Sequence, residues 1–304
     1  MAFEGVYSVL PTPFTDRGDL DEPSLRRVVD LFIEKGVNGL TALGVTGEVA
    51  RLEEPERARV LDVVVSQAAG RVPIVAGTSA EGTSVCVSYS RQAKSAGAAA
   101  VMVSPPRMPK LNSDAVVRHF KTLADEVDIP IVVQDYPPIS GFTMEPALLA
   151  RIAREVPAAR TIKLEDPPTP LKTARILEQT IGTPVQIFGG LGGVFLLEEL
   201  ISGATGAMTG FAFPEILVRI VKQFRGGHID EAADLFYRTV PLMRFEFQDT
   251  IGMAIRKEVL RRRGALASPA TRAPAGGMDA ASTQALDRVL AWVSSQKGLE
   301  WISV

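Results

Sequence analysis

Eight short β-rich runs, each followed by a longer segment of helical period, fill the first 225 residues and leave few folds open. The strand-like runs are 6–10, 39–43, 73–76, 99–103, 130–134, 161–164, 185–188 and 206–209. Helical patterns follow them at 24–34, 56–69, 84–96, 113–126, 145–154, 170–179, 195–201 and 216–224. Val72-Pro73-Ile74-Val75-Ala76 and Ile129-Pro130-Ile131-Val132-Val133 are apolar throughout. Continuous apolar runs belong to strands covered on both faces, and hence to a parallel sheet. The expected fold is α/β, a (β/α)8 TIM barrel. A doubly wound sheet needs a glycine-rich phosphate turn after its first strand, whereas here the first run leads into Pro11-Thr12-Pro13-Phe14.

Element boundaries carry their own chemistry. Pro23 sits in a first helical turn, where its missing N–H costs nothing. Gly36 and Gly97 read as helix C-caps, and Asn112 as an N-cap. Pro73, Pro130 and Pro184 stand at strand entrances, where a missing ladder donor is tolerated. Beyond residue 225 the strands stop. Residues 230–244, 250–263 and 282–295 read as helices, and the Pro-, Ala- and Gly-rich stretch 268–277 as a loop or mobile connection. The expected division is a barrel over 1–225 and a C-terminal α-helical extension over 226–304, packed on the barrel.

Composition narrows the chemistry. His119 and His228 are the only histidines and Cys86 the only cysteine, which argues against an intrachain disulfide, a zinc site or a non-haem iron site. A formal charge of −2 gives no basic surplus for nucleic acid or an anionic membrane. No run reaches the roughly 20 apolar residues of a membrane span, and the first ten residues do not read as a leader. A cytoplasmic enzyme without metal or cofactor, acting on a small molecule, is expected.

In such a barrel the active groups project from the C-terminal ends of the strands. Among nine lysines only Lys163 lies inside a strand-like run, between Ile162 and Leu164. Burial lowers the pKa of an amine, and a neutral amine condenses with a 2-oxo group to give an imine. The bland alternative is a strand-end lysine paired with Glu165 or Asp166. Gly44-Val45-Thr46-Gly47-Glu48 leaves the second strand as a tight turn whose N–H groups and Thr46 hydroxyl suit a carboxylate or phosphate. It reads equally as an ordinary βα turn. Gln134, Asp135 and Tyr136 end the fifth strand, with Tyr136 a candidate proton shuttle and Asp135 a candidate base; either is also plausible as a packed loop residue. His119 and His228 fall away from strand C-termini and are not expected to be catalytic.

Pro11-Thr12-Pro13-Phe14, Gly44-Val45-Thr46-Gly47-Glu48 and Ile162-Lys163-Leu164-Glu165, in this order and spacing, resemble the dihydrodipicolinate synthase / N-acetylneuraminate lyase superfamily over essentially the whole chain. The resemblance implies that Lys163 forms a Schiff base with pyruvate or another 2-oxo acid. It also implies that Thr46, with the amides of residues 46–47, holds the substrate carboxylate. Val45, Glu48, Gly189, Thr209 and Gly210 would complete the binding site, and Gln134, Asp135 or Tyr136 would move water and protons. A homotetramer built as a dimer of dimers is implied as well, its tight contact involving the Pro105–Pro109 loop.

Several synthase determinants are replaced. Val45 stands where a relay hydroxyl is usual, Gln134 where a tyrosine is, Ile139 where an arginine is, and Pro106-Arg107 where a tyrosine pair is. Val133-Gln134-Asp135, the Gly203–Gly210 run and Phe213-Pro214 look like the 2-keto-3-deoxy-L-arabonate dehydratase branch instead, although Gly189–Gly193 departs from that branch's acidic residues. The expected function is a class I lyase, a dehydratase or aldolase of a 2-keto-3-deoxy sugar acid. The alternatives are a dihydrodipicolinate synthase condensing pyruvate with aspartate semialdehyde, and a non-catalytic 2-oxo acid binder.

Overall fold

The computed structural model describes residues 3–302. Its centre is a closed barrel of parallel strands in sequence order: β1 (Gly5–Val9), β2 (Gly39–Ala42), β3 (Ile74–Gly77), β4 (Ala100–Val103), β5 (Ile131–Asp135), β6 (Thr161–Leu164), β7 (Gln186–Gly189) and β8 (Gly206–Thr209). Around it run α1 (Glu22–Glu34), α2 (Glu54–Ala68), α3 (Thr83–Ala96), α4 (Ser113–Val127), α5 (Pro137–Ser140), α6 (Pro146–Glu155), α7 (Thr169–Gln179), α8 (Leu196–Ile201) and α9 (Pro214–Arg225). Three further helices follow: α10 (Ile229–Glu246), α11 (Gly252–Arg262) and α12 (Ala280–Ser294). The expected TIM barrel with C-terminal helices is what forms.

The boundary chemistry operates as read. Asp21 accepts from the Ser24 amide at 3.1 Å ahead of Pro23, and Asn112 caps α4 through the Ala115 amide at 2.9 Å. Gly97 ends α3 at φ 101°, in the left-handed region. Pro73 and Pro130 have no N–H to give, yet their carbonyls accept from Leu40 (3.0 Å) and Val101 (2.9 Å), so each joins the ladder as an acceptor.

Strand alternation sorts the side chains into two cores. Phe3, Tyr7, Val9, Val75, Ala100, Met102, Val132, Phe188 and Met208 fill the barrel interior. Outward residues such as Val6, Leu40, Val101, Val133 and Ile162 join the larger core between strands and helices. The apolar filling stops at the level of Met102, Val132, Phe188 and Met208. The next inward positions toward the C-terminal ends of the strands are polar or glycine: Ser104, Gln134, Lys163, Gly190 and Gly210.

The 268–277 stretch is a loop, but a pinned one. Arg272 pairs with Glu56 and donates to the carbonyls of Gly18 (2.8 Å) and Arg51 (2.9 Å), and Ser268 bonds Asp16. Of the two readings, loop or mobile connection, these anchors favour the loop.

Candidate active site

Lys163 and Gln134 are register partners on β6 and β5, and Lys163 pairs in turn with Phe188 of the interior core. Both polar side chains therefore enter the barrel at its mouth. Lys163 Nζ lies 3.0 Å from Glu165 Oε2, and both side chains are nearly fully buried. Gln134 Nε2 donates to the same Glu165 oxygen at 2.8 Å, while Ser104 Oγ donates to Gln134 Oε1 at 3.1 Å. A carboxylate accepts only, so this chain of bonds itself orients the Gln134 amide. Glu165 follows Lys163 by two residues, the period that keeps both on one face of a strand. Gly190 makes room for it: a Cβ there would lie 2.3 Å from Glu165 Cγ. Tyr136 is half-buried, its hydroxyl pushed up by burial and then by the charges of Glu165 and Asp249.

Asp135 does not join them. One residue beyond Gln134, it faces outward and meets Lys172 of α7 at 2.6 Å, and Lys172 also holds Asp166 at 2.7 Å. Burial pushes the Asp135 carboxyl up to about 6 against the pull of Lys172. The expected base is thus a buried ion-pair member on the opposite face from Lys163.

The turn after β2 splits in the same way. Val45 borders a small cavity of about 60 Å³ together with Ser104 and Gln134. The Thr46 hydroxyl is buried without a hydrogen-bond partner among the described residues. Gly47 is structural: its amide donates to Gly44 O at 2.9 Å and its carbonyl accepts from Thr12 Oγ1 at 2.6 Å. This corrects the expectation that the Gly47 amide is available to a carboxylate. Glu48, in the left-handed region at φ 55°, turns away from the mouth. It meets Lys257 Nζ at 2.5 Å, Arg51 at 2.7 Å and the Arg272 amide at 3.0 Å. Lys257 and Arg272 both lie against Phe14, their charged groups 4.3 and 4.2 Å from its ring centroid. Both ends of the Pro11–Phe14 stretch therefore brace this turn, Thr12 directly and Phe14 through the cations.

Gly189 and Thr209 also serve the frame. A Cβ on Gly189 would fall 1.6 Å from Glu199 Oε2, so that glycine accommodates a buried outer carboxylate and offers no side to the mouth. Thr209 Oγ1 donates to Gly190 O at 2.8 Å and accepts from Gly192 N at 3.0 Å, fastening the loop after β7. Gly210 does border the mouth, two residues beyond inward-facing Met208. His119 is buried beside Thr83, 2.9 Å away, and burial pushes its imidazole down to about 4.

The model of the dihydrodipicolinate synthetase family matches residues 2–292. The chain belongs to that family. An L-2-keto-3-deoxyarabonate dehydratase from Azospirillum brasilense is 33% identical, the match covering 89% of this chain and 88% of the relative. A 4-hydroxy-tetrahydrodipicolinate synthase from Methanothrix thermoacetophila is 34% identical over 97% of this chain and 99% of its own. Among solved structures, the Rhodopseudomonas palustris dihydrodipicolinate synthase superposes with a TM-score of 0.90 at 34% identity, covering 95% and 97% of the two chains. A prophage protein of the same family from E. coli K12, solved in complex with pyruvate, gives 0.90 at 25% identity over 97% and 99%. Family membership makes this chain a lyase, and relatives of equal similarity carry two different activities.

The sequence offers Glu165 only as the partner of an ordinary strand-end lysine, and that pairing is the one that forms. Lys257 and Arg256 were not legible, because the extension's helix α11 reaches the barrel only through long-range packing. Arg256 is 4% exposed, and its Nε meets Glu246 Oε1 at 2.6 Å.

Proposed function

We propose that this chain is a class I lyase that dehydrates a 2-keto-3-deoxy sugar acid through a Schiff base at Lys163. The contact between Lys163 and buried Glu165 carries the reading. As a 2-oxo acid enters, Glu165 accepts a proton from the Lys163 ammonium. The neutral amine adds to C2, and Glu165 returns its proton to the carbinolamine hydroxyl, which leaves as water, so that a protonated imine and the Glu165 carboxylate remain. That cation withdraws electrons from C3, and a carboxylate takes the C3 proton to give an enamine. The enamine then expels the C4 hydroxyl, which leaves as water with a proton from the same carboxyl group. The imine is finally hydrolysed, for a net loss of one water from C3 and C4. Glu165 is the acid–base group in reach of Lys163, and Tyr136 adds a half-buried hydroxyl beside it.

Dehydration is favoured over condensation because of what stands on β5. Gln134 donates to Glu165 and accepts from Ser104, but an amide does not give up a proton as a phenol does. Val45 has no hydroxyl at all. A relay through these two positions is closed, and the carboxylate at Glu165 supplies one centre for both proton transfers. Synthase activity is the second reading, supported by named relatives of 34% identity. The separating experiment gives the purified chain 2-keto-3-deoxy-L-arabonate in one assay and pyruvate plus aspartate semialdehyde in another. Turnover of the sugar acid without pyruvate release is expected. Efficient condensation in the second assay overturns the dehydratase reading, and pyruvate release in the first makes the chain an aldolase.

A further inference from the structure

Arg256 puts a second unpartnered polar group at the barrel mouth. Its Nε is held by Glu246, whose carboxylate also accepts the Ala212 amide at 3.1 Å. Its Nη1 is buried and has no hydrogen-bond partner among the described residues, and the same holds for Thr46 Oγ1. These two atoms border one point. A Cβ on Gly210 would lie 2.5 Å from Arg256 Nη1 and 2.9 Å from Thr46 Oγ1, so both atoms lie against the space that a side chain at residue 210 would take. A buried donor left unpaired is costly, and an arginine held at one nitrogen presents its remaining N–H groups in a fixed direction. Two such atoms converging on the polar side of the barrel interior suit an oxygen that accepts from both.

We infer that Arg256 is a specificity-determining residue: with Thr46 it holds the carboxylate of the 2-oxo acid, on the β2 and β8 side of the mouth. This rests on the proposed 2-oxo acid substrate. The extension thus contributes a substrate contact as well as a brace. Glu246 is a positioning residue, fixing the guanidinium from behind so that one arm remains for the ligand.

The test compares pyruvate with its neutral amide, pyruvamide, by rate of borohydride trapping and by calorimetric affinity in a Lys163→Ala background where no imine forms. Arg256→Met alone strands the Glu246 carboxylate, so the variant is Glu246→Gln with Arg256→Met, its fold checked by circular dichroism. Loss of a charge-assisted hydrogen bond is expected to weaken pyruvate about 10- to 100-fold while pyruvamide is unchanged. Arg256→Lys, which keeps the charge opposite Glu246, is expected to fall between the two and gives the readout should the double variant not fold. Equal loss for both ligands means a structural role only and overturns the inference, as does unchanged discrimination. Wild-type protein that traps neither ligand counts against Lys163 alone, because the calorimetric comparison still reads Arg256.

Discussion

Replacing Glu165 by glutamine keeps its volume and its place beside Gln134 but removes the proton acceptor 3.0 Å from Lys163. General acid–base groups contribute about 10²–10⁴-fold. Dehydration by Glu165→Gln is expected to fall by about that factor, while pyruvate is still trapped at Lys163, only more slowly; steady-state kinetics and mass spectrometry check the two halves. A variant within a fewfold of wild type would remove Glu165 from the mechanism. A second buried carboxyl lies outside the mouth. Glu199 is pushed from 4.5 up to about 7, mainly by burial, with the Thr169 hydroxyl opposing and the charges of Glu198 and Glu165 adding. The folded chain therefore binds this proton more tightly than the unfolded one. Its contribution to stability is whole below about 4.5 and is lost as pH rises through about 7. Glu199→Gln, which can still accept from Thr169, is expected to flatten the decline of Tm between about pH 5 and about pH 8. A decline as steep as that of wild type would contradict this assignment.

At the level of elements, the loop 268–277 is held by a few side chains, of which Arg272 makes the most contacts. Arg272 ties it to Glu56 and to two carbonyls, and its own amide helps hold Glu48 beneath the turn that carries Thr46. Arg272→Ala is expected to speed cleavage within 268–277 by a nonspecific protease and to raise KM for the 2-oxo acid more than it lowers kcat. Unchanged protection would show that the loop is held by other means. The strands were legible because continuous apolar runs and their flanking prolines are local signals. The short helix Pro137–Ser140 was not, since a four-residue turn has no period to detect. Which way Asp135, Glu48 and Gly189 face was hidden for another reason. The sequence brings Gln134 and Asp135 to one strand end, but only the register with Lys163 tells which of the two looks inward. Arg256 and Lys257 lie nearly a hundred residues past Lys163, and no spacing signals that one returns to the barrel mouth and the other to Glu48.

Across the whole molecule, the apolar filling of the lower barrel and the pinned extension leave the chemistry to one end. Among the described residues, no helix is long and apolar enough to cross a membrane. We propose the homotetramer implied by the resemblance. Met108 and Ile139, both large, apolar and exposed near the C-terminal ends of β4 and β5, are surfaces such an assembly can cover. Light scattering should then report four chains of 32.6 kDa, and a monomer at working concentration would contradict this. In the proposed mechanism one buried lysine carries the reaction. This is tested most directly by reducing the chain with borohydride in saturating pyruvate and mapping the product by peptide mass spectrometry. One reduced pyruvate adduct per chain is expected, on Lys163 and absent in Lys163→Ala. An unmodified Lys163, or an adduct on Lys172 or Lys257 instead, would contradict it.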